Sequence, residues 1–327
     1  MSDSRSVSPC SPPRGNRRLL PEDLDAMLAA AVREVVGMSD ADRDELTDML
    51  RALVRPAWVL SAVDDRDAGE PGEIGRSRIG GLPDLPRDWR WPTARPQPDA
   101  GGSADDAEVS LAFIAQIDLA EAPGVADAGW LPSSGRLWFF HNGESEPNHV
   151  VLYADVPRHE LRTARPPADV LDLVDACFLL DEPHPVDLHR TLFLTADYQT
   201  GWHSQGFEAL EDALDERFGE DGAGYDLLAE IQDHLIAAAV TEGPWDGMLM
   251  GRPTPCPPPE GSCPCGRSAP ADAPGYNDVS GPCSWANDSL LALYGYWGDG
   301  PLVYTADANV APRIDGRRFA ATEAWIY

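Results

Sequence analysis

Leu111-Ala112-Phe113-Ile114-Ala115-Gln116-Ile117-Asp118-Leu119 is the stretch on which the reading of this chain turns. Leu111–Ile117 is a short apolar run, and Ala94–Glu108 before it is polar and rich in Pro, Gly and Asp, which reads as a surface loop. Such a run between turn signals predicts a buried strand. Trp58–Val63, Arg136–His141 and Val150–Asp155 have the same character. So do Met248–Met250, Leu290–Tyr296, Leu302–Thr305 and Ala324–Tyr327 nearer the end. Helical patterns fall in separate blocks. Leu24, Met27, Leu28, Ala31, Val32 and Val35 recur at helical spacing, with Pro21 at the start and Gly37 as the stop. Ser39 with Asp42 opens a second helix that buries Leu46, Met49, Leu50, Leu53 and Val54 before Pro56. Phe207–Phe218 and Tyr225–Val240 complete the set, and their acidic positions form a solvated outer face. Strands and helices in blocks predict an α+β fold with a mainly antiparallel sheet and an N-terminal helical hairpin.

Three features recur in order. Gly80-Gly81-Leu82-Pro83, the strand Leu111–Ile117 and Gly135-Arg136-Leu137-Trp138-Phe139 form one set. Met250-Gly251-Arg252-Pro253, the strand Leu290–Tyr296 and Gly300-Pro301-Leu302-Val303-Tyr304 form the other. An internal duplication packed around a shared core is the expectation. The organisation expected is a disordered tail over 1–18 and one domain over 19–327. That domain contains the hairpin (20–55), repeat one (about 57–160), a helical middle (about 205–240) and repeat two (about 245–327) with a Cys-rich insertion at 255–284.

The 327 residues carry 25 basic and 55 acidic side chains, a formal net charge of −30, and every basic one is Arg. That field repels phosphate backbones and anionic lipid, so nucleic-acid and membrane-surface partners are excluded, while a basic protein partner is permitted. Without Lys, Schiff-base and P-loop chemistry are also excluded. The sequence has neither a long apolar span nor a signal-peptide pattern, so a cytoplasmic, reducing location is expected. The six cysteines are then thiols or metal ligands.

Ser77-Arg78-Ile79-Gly80-Gly81-Leu82-Pro83-Asp84-Leu85-Pro86 with Trp91-Pro92 resembles the opening signature of the YwqG-like bacterial proteins. Leu111–Leu119 looks like that family's central strand with its Gln-x-Asp ending. Leu131-Pro132, Gly135, Leu137 and Phe139-Phe140 match the strand that follows it. Trp297-Gly298-Asp299-Gly300 with Leu302 and Tyr304 is similar to the second-half motif. The resemblance spans about Ala57 to Tyr327 and implies one α+β domain with an internal duplication. It carries no agreed catalytic residues. Some relatives lie in gene neighbourhoods with secreted toxins, which implies an immunity-like role as one option. The chain departs from the pattern where Tyr294-Gly295-Tyr296 stands in place of a second Gln-x-Asp.

The sharpest chemical feature is Cys256, Cys263, Cys265 and Cys283 in a Pro/Gly-rich stretch. Four thiolates at one locus suit tetrahedral structural zinc, and a loop poor in apolar residues needs something to order it. Cys263-Pro264-Cys265 is one residue shorter than a zinc knuckle, which strains two bonds to one ion, so a redox pair and inert thiols stay open beside zinc. Gln116 and Asp118 close a buried strand, where they either line a ligand-binding cleft between the halves or satisfy backbone groups at the strand's edge. His184 and His189 surround Pro185 and read as a surface turn followed by a strand. His141 and His149 flank the Gly143–Pro147 loop of a hairpin and can approach each other there. Gly201-Trp202-His203-Ser204-Gln205-Gly206 fails as a nucleophile elbow, because Trp202 stands where glycine is required.

These residues point to a non-catalytic interaction or ligand-binding module with an unknown protein or small-molecule partner. The alternative is an enzyme whose cleft site uses Asp118 and a histidine such as His141. A zinc-stabilised binding module is the third reading.

Overall fold

The computed structural model describes residues 21–35, 37–51, 54–63, 73–94, 108–128, 131–141, 149–170, 183–194, 214–217, 223–240, 245–250, 287–293, 302–307, 314–315, 318–319 and 322–326. It has an α+β fold whose chain contacts form two compact units: Met1–Val54 with Leu192–Ala238, and Arg55–Thr191 with Ala239–Tyr327. The expected tail and the Cys-rich insertion lie outside the described residues. Among the described residues no helix is long and apolar enough to cross a membrane.

The smaller unit is helical. α1 (Glu22–Glu34) begins after Pro21, carries Glu22, Asp23 and Asp25 in its first turn, and buries Leu24, Leu28, Ala31 and Val32. Acidic residues there complement the positive end of the helix dipole. α2 (Asp40–Leu50) is capped by Ser39, whose Oγ accepts from the Asp42 amide at 3.2 Å. Arg51, just past α2, donates from Nε to Asp25 in the first turn of α1 at 2.6 Å, which ties the two helices together. α3 (Ala223–Ala239) contributes Leu228, Ile231 and Leu235, spaced three and four apart, to the same apolar cluster. Gln232 of α3 reaches the chain at Leu192–Leu194: its Oε1 accepts from the Leu194 amide at 2.8 Å and its Nε2 donates to the Leu192 carbonyl at 3.2 Å.

The larger unit holds most of a curled antiparallel sheet. Its strands are β1 (Arg55–Ala62), β2 (Arg78–Ile79), β3 (Asp84–Pro86), β4 (Thr93–Ala94), β5 (Val109–Ser110), β6 (Ala112–Asp118), β7 (Arg136–His141), β8 (His149–Ala154) and β9 (Leu161–Thr163). They are followed by β10 (His184–Phe193), β11 (Trp245–Met250), β12 (Asn287–Leu293), β13 (Leu302–Asp307), β14 (Ile314–Asp315), β15 (Arg318–Phe319) and β16 (Thr322–Ile326). Twelve of them form one sheet in the order β14-β15-β8-β7-β6-β2-β10-β1-β11-β12-β13-β16, which curls until β16 approaches β8.

β6 and β7 are buried along their whole length, as a strand covered on both faces must be. Leu137 and Phe139 face a core shared with Trp58, Ile117, Val186, Leu249 and Leu293. Trp138 and Phe140 face the opposite cluster, built with Leu85, Trp89, Leu111 and Phe113. Rings pack edge-on in that cluster, Trp89 with Trp138 at 5.4 Å and Phe113 with Phe140 at 5.5 Å between centroids. A register shift between Phe113 and Ala115 sends Ile114 and Ala115 to the same core. β12 shifts against β13 in the same way between Ser289 and Leu291, and Leu290 and Leu291 both enter that core.

The segment from His184 differs from expectation. It is strand from its first residue, a ten-residue β10 lying between β2 and β1 rather than a surface turn leading into a strand. Val186, Leu188 and Leu192 alternate as buried positions, and Pro185 sits near the strand's start, where its carbonyl accepts from the Val63 amide at 3.0 Å.

Candidate functional site

Gln116 and Asp118 occupy one end of the β6–β7 pair, and the loop from Glu73 to Pro86 folds over them. Gln116 has no exposed surface. Its Oε1 accepts from the Asp84 amide at 2.9 Å, while its Nε2 donates to the Arg76 carbonyl at 2.7 Å and to Asp84 Oδ2 at 3.4 Å. Asp84 is equally enclosed: Oδ1 accepts from Thr163 Oγ1 at 2.8 Å, and Oδ2 from the Gly75 amide at 2.7 Å and Arg78 at 2.9 Å. Burial pushes the Arg78 guanidinium below its usual pKa, opposed by the Asp84 charge beside it. Gly75 has φ +83°, and a Cβ there would meet Leu161 Cδ1 at 2.9 Å and Arg136 Nε at 3.0 Å, so the close approach requires glycine.

Asp118 faces Arg136 directly across the ladder. Their side chains are 4% and 6% exposed, and Arg136 Nη2 donates to Asp118 Oδ2 at 2.6 Å. Arg158 Nη2 adds a contact to the same oxygen at 3.3 Å, and Oδ1 accepts from the Ala120 amide at 3.1 Å. Arg136 also donates from Nε to the Gly75 carbonyl at 2.7 Å and from Nη1 to the Val156 carbonyl at 2.9 Å. Arg158 also pairs with Glu73 and with Glu121, and Glu121 accepts from the Ser77 amide at 2.9 Å. The result is a closed set of charges and amides binding the Glu73–Pro86 loop and the Leu119–Glu121 turn to the strand end. Both Asp118 oxygens are engaged by N–H donors, an arrangement that fixes the orientation of the carboxylate.

His141 lies at the far end of β7. The register pairs Ala112 with His141 and Asp118 with Arg136, so Asp118 and His141 are separated by five residue steps along β7, about 17 Å. Proton transfer between them needs hydrogen-bond reach. The structure therefore does not bring together the two residues of the enzyme reading. His141 is the direct partner of His149 on β8. Burial, reinforced by the neighbouring His149, pushes the His141 pKa down to about 4.

Of the other residues singled out in the sequence, His189 Nε2 lies 2.8 Å from Ser61 Oγ on β1, and His184 opens β10 opposite Ile79. Cys256, Cys263, Cys265 and Cys283 lie outside the described residues. Among the described residues no group of three or more His, Cys, Asp or Glu is placed to hold a metal ion. Arg78, Asp84, Arg136 and Arg158 were not among the candidates. Asp84 and Arg78 do stand in the quoted Ser77–Pro86 motif, and Arg136 opens a predicted strand, so charged residues inside apolar, glycine-bounded runs were the available signal.

Residues 77–212 match a family described as a domain of unknown function, DUF1963. The matched region contains the closed polar set apart from Glu73, Gly75 and Arg76, together with both ends of the β7–β8 hairpin. No curated protein matches the chain at a significant level.

Proposed function

We propose that this protein is a non-catalytic binding module that recognises a basic protein partner. One observation carries the reading: the polar residues with the strongest claim to chemistry, Gln116 and Asp118, are enclosed and their hydrogen-bonding groups are taken by the chain itself. Their role is to anchor the Glu73–Pro86 loop on the sheet. The net charge of −30 without a single Lys then selects the partner's sign. An immunity-like role is the form this reading takes when the partner is a basic toxin encoded beside it. Cross-linking in the producing cell, followed by reconstitution with the purified partner, tests it. A saturable complex with a basic protein, weakening as salt rises, is expected. A substrate turned over by the wild type, with turnover abolished by Asp118→Asn or His141→Gln, would overturn it.

We also infer that the sheet contains a duplicated unit, supported by the matched register shifts. Aligning β6–β7 with β12–β13 through them pairs Ile117 with Leu293 and Leu137 with Leu302. Counting on in sequence sets Asp118 against Tyr294, two residues before the Tyr296 that the motif comparison sets there, and Arg136 against Pro301. Only the first copy has the residue types for the buried ion pair.

A further inference from the structure

We propose that His141 and His149, facing each other across β7 and β8 at the mouth of their hairpin, form a two-histidine site for a divalent transition-metal ion of the Ni²⁺, Cu²⁺ and Zn²⁺ class. The two are direct register partners. Side chains directly opposite on antiparallel strands hold their Cβ atoms about 4.5–5.5 Å apart, close enough for each ring to turn one nitrogen towards a common point. Metal–nitrogen bonds of roughly 2.0–2.1 Å fit within that span. The backbone beneath the pair is fixed, because β7 is laddered to β6 on one side, with Ala112 opposite His141, and to β8 on the other. A site built on paired strands needs little rearrangement to close on an ion.

The surroundings suit a nitrogen-seeking cation. His141 is 1% exposed, and both His141 Nε2 and His149 Nδ1 are buried atoms. His149 is half-buried beside it, and one dication interacts favourably with a nitrogen of each ring at once. Neutral imidazole is the metal-ligating form, and it prefers copper, nickel and zinc to the oxygen-seeking calcium and magnesium. Two protein ligands leave the remaining coordination positions to water or to a small donor molecule. The proposal draws neither on the partner-binding reading nor on Cys256, Cys263, Cys265 and Cys283.

The test uses the full chain with all six cysteines, Cys10, Cys177, Cys256, Cys263, Cys265 and Cys283, replaced by Ser, so that thiols do not compete. Calorimetric titration with Zn²⁺ and Ni²⁺ at neutral pH is expected to show one equivalent bound. His149→Gln, a polar replacement at a half-buried position, is expected to weaken binding by at least about tenfold, with His141→Gln doing the same. In the wild-type chain, NMR resonances of both imidazoles should shift together on adding Zn²⁺, a readout that needs no variant to fold. Absence of saturable binding, affinity unchanged in both variants, or binding that leaves both imidazole resonances in place would each overturn the proposal.

Discussion

The two ends of β7 handle buried polarity in opposite ways. At Arg136 the strand begins inside a set of full charges that compensate one another, with Asp118, Arg158 and Glu121 in sequence. At His141 it ends beside a second imidazole, and the interior keeps the ring neutral instead of pairing its charge. One end is therefore vulnerable to losing a partner, and the other to gaining a proton. Charge compensation makes a site intolerant of substitution, because losing one partner strands the other. Enforced neutrality makes a site sensitive to acid.

The comparison breaks most sharply at Asp118. Asp118→Ala strands a buried guanidinium and is expected to cost about 3–5 kcal/mol, read by urea denaturation. Removing both charges with Asp118→Leu and Arg136→Met should cost less than Asp118→Ala alone. If the double variant costs as much as the sum of the single ones, the pair is not coupled.

At the other end the expected loss comes from acid. An unfolded histidine titrates near 6.5 and the folded His141 near 4, so between those values the unfolded chain binds the extra proton. The stabilising contribution is complete above pH 6.5 and is lost as pH falls to 4, about 3 kcal/mol in all. Stability measured against pH should lose this slope in His141→Phe. A slope unchanged in that variant would place the acid sensitivity elsewhere.

Gln116→Ala should cost about 2 kcal/mol, because the Asp84 amide and the Arg76 carbonyl lose their partners without gaining water. Hydrogen exchange at the Asp84 amide should rise in the same variant. The smallest effect lies in the helical unit, where Ser39→Ala removes a cap and should cost about 1 kcal/mol. Its helical circular dichroism should melt earlier while Asp84 exchange stays unchanged.

Local pattern made the elements legible. Arg136–His141 was predicted with its observed bounds, and Tyr225–Val240 lies within two residues of α3. β10 is the exception: Pro185, after the polar run Asp181-Glu182-Pro183-His184, outweighs the alternation of Val186, Leu188 and Leu192 that follows. Strand propensity there is decided by two neighbouring strands, which no local window contains. The site was half legible. The polar ending of β6 was visible, and so was the option that it serves the backbone rather than a ligand. Its partners were not, since Asp84 and Arg76 stand 32 and 40 residues away in sequence and reach Gln116 through a loop path that only the fold specifies. Asp118 opposite Arg136 was within reach, because it follows once β6 and β7 are taken as antiparallel neighbours.

Gln232 carries a consequence of a different kind. Its amide bonds the Leu194 N–H and the Leu192 carbonyl on either side of Phe193. In doing so it imitates one peptide unit of an adjoining strand just where β10 ends. A strand end left bare would offer the same two groups to another molecule and seed edge-to-edge aggregation. Here Leu192 and Leu194 are themselves buried, so one helical side chain closes the strand end from within, and its loss would leave two enclosed backbone groups without their partners.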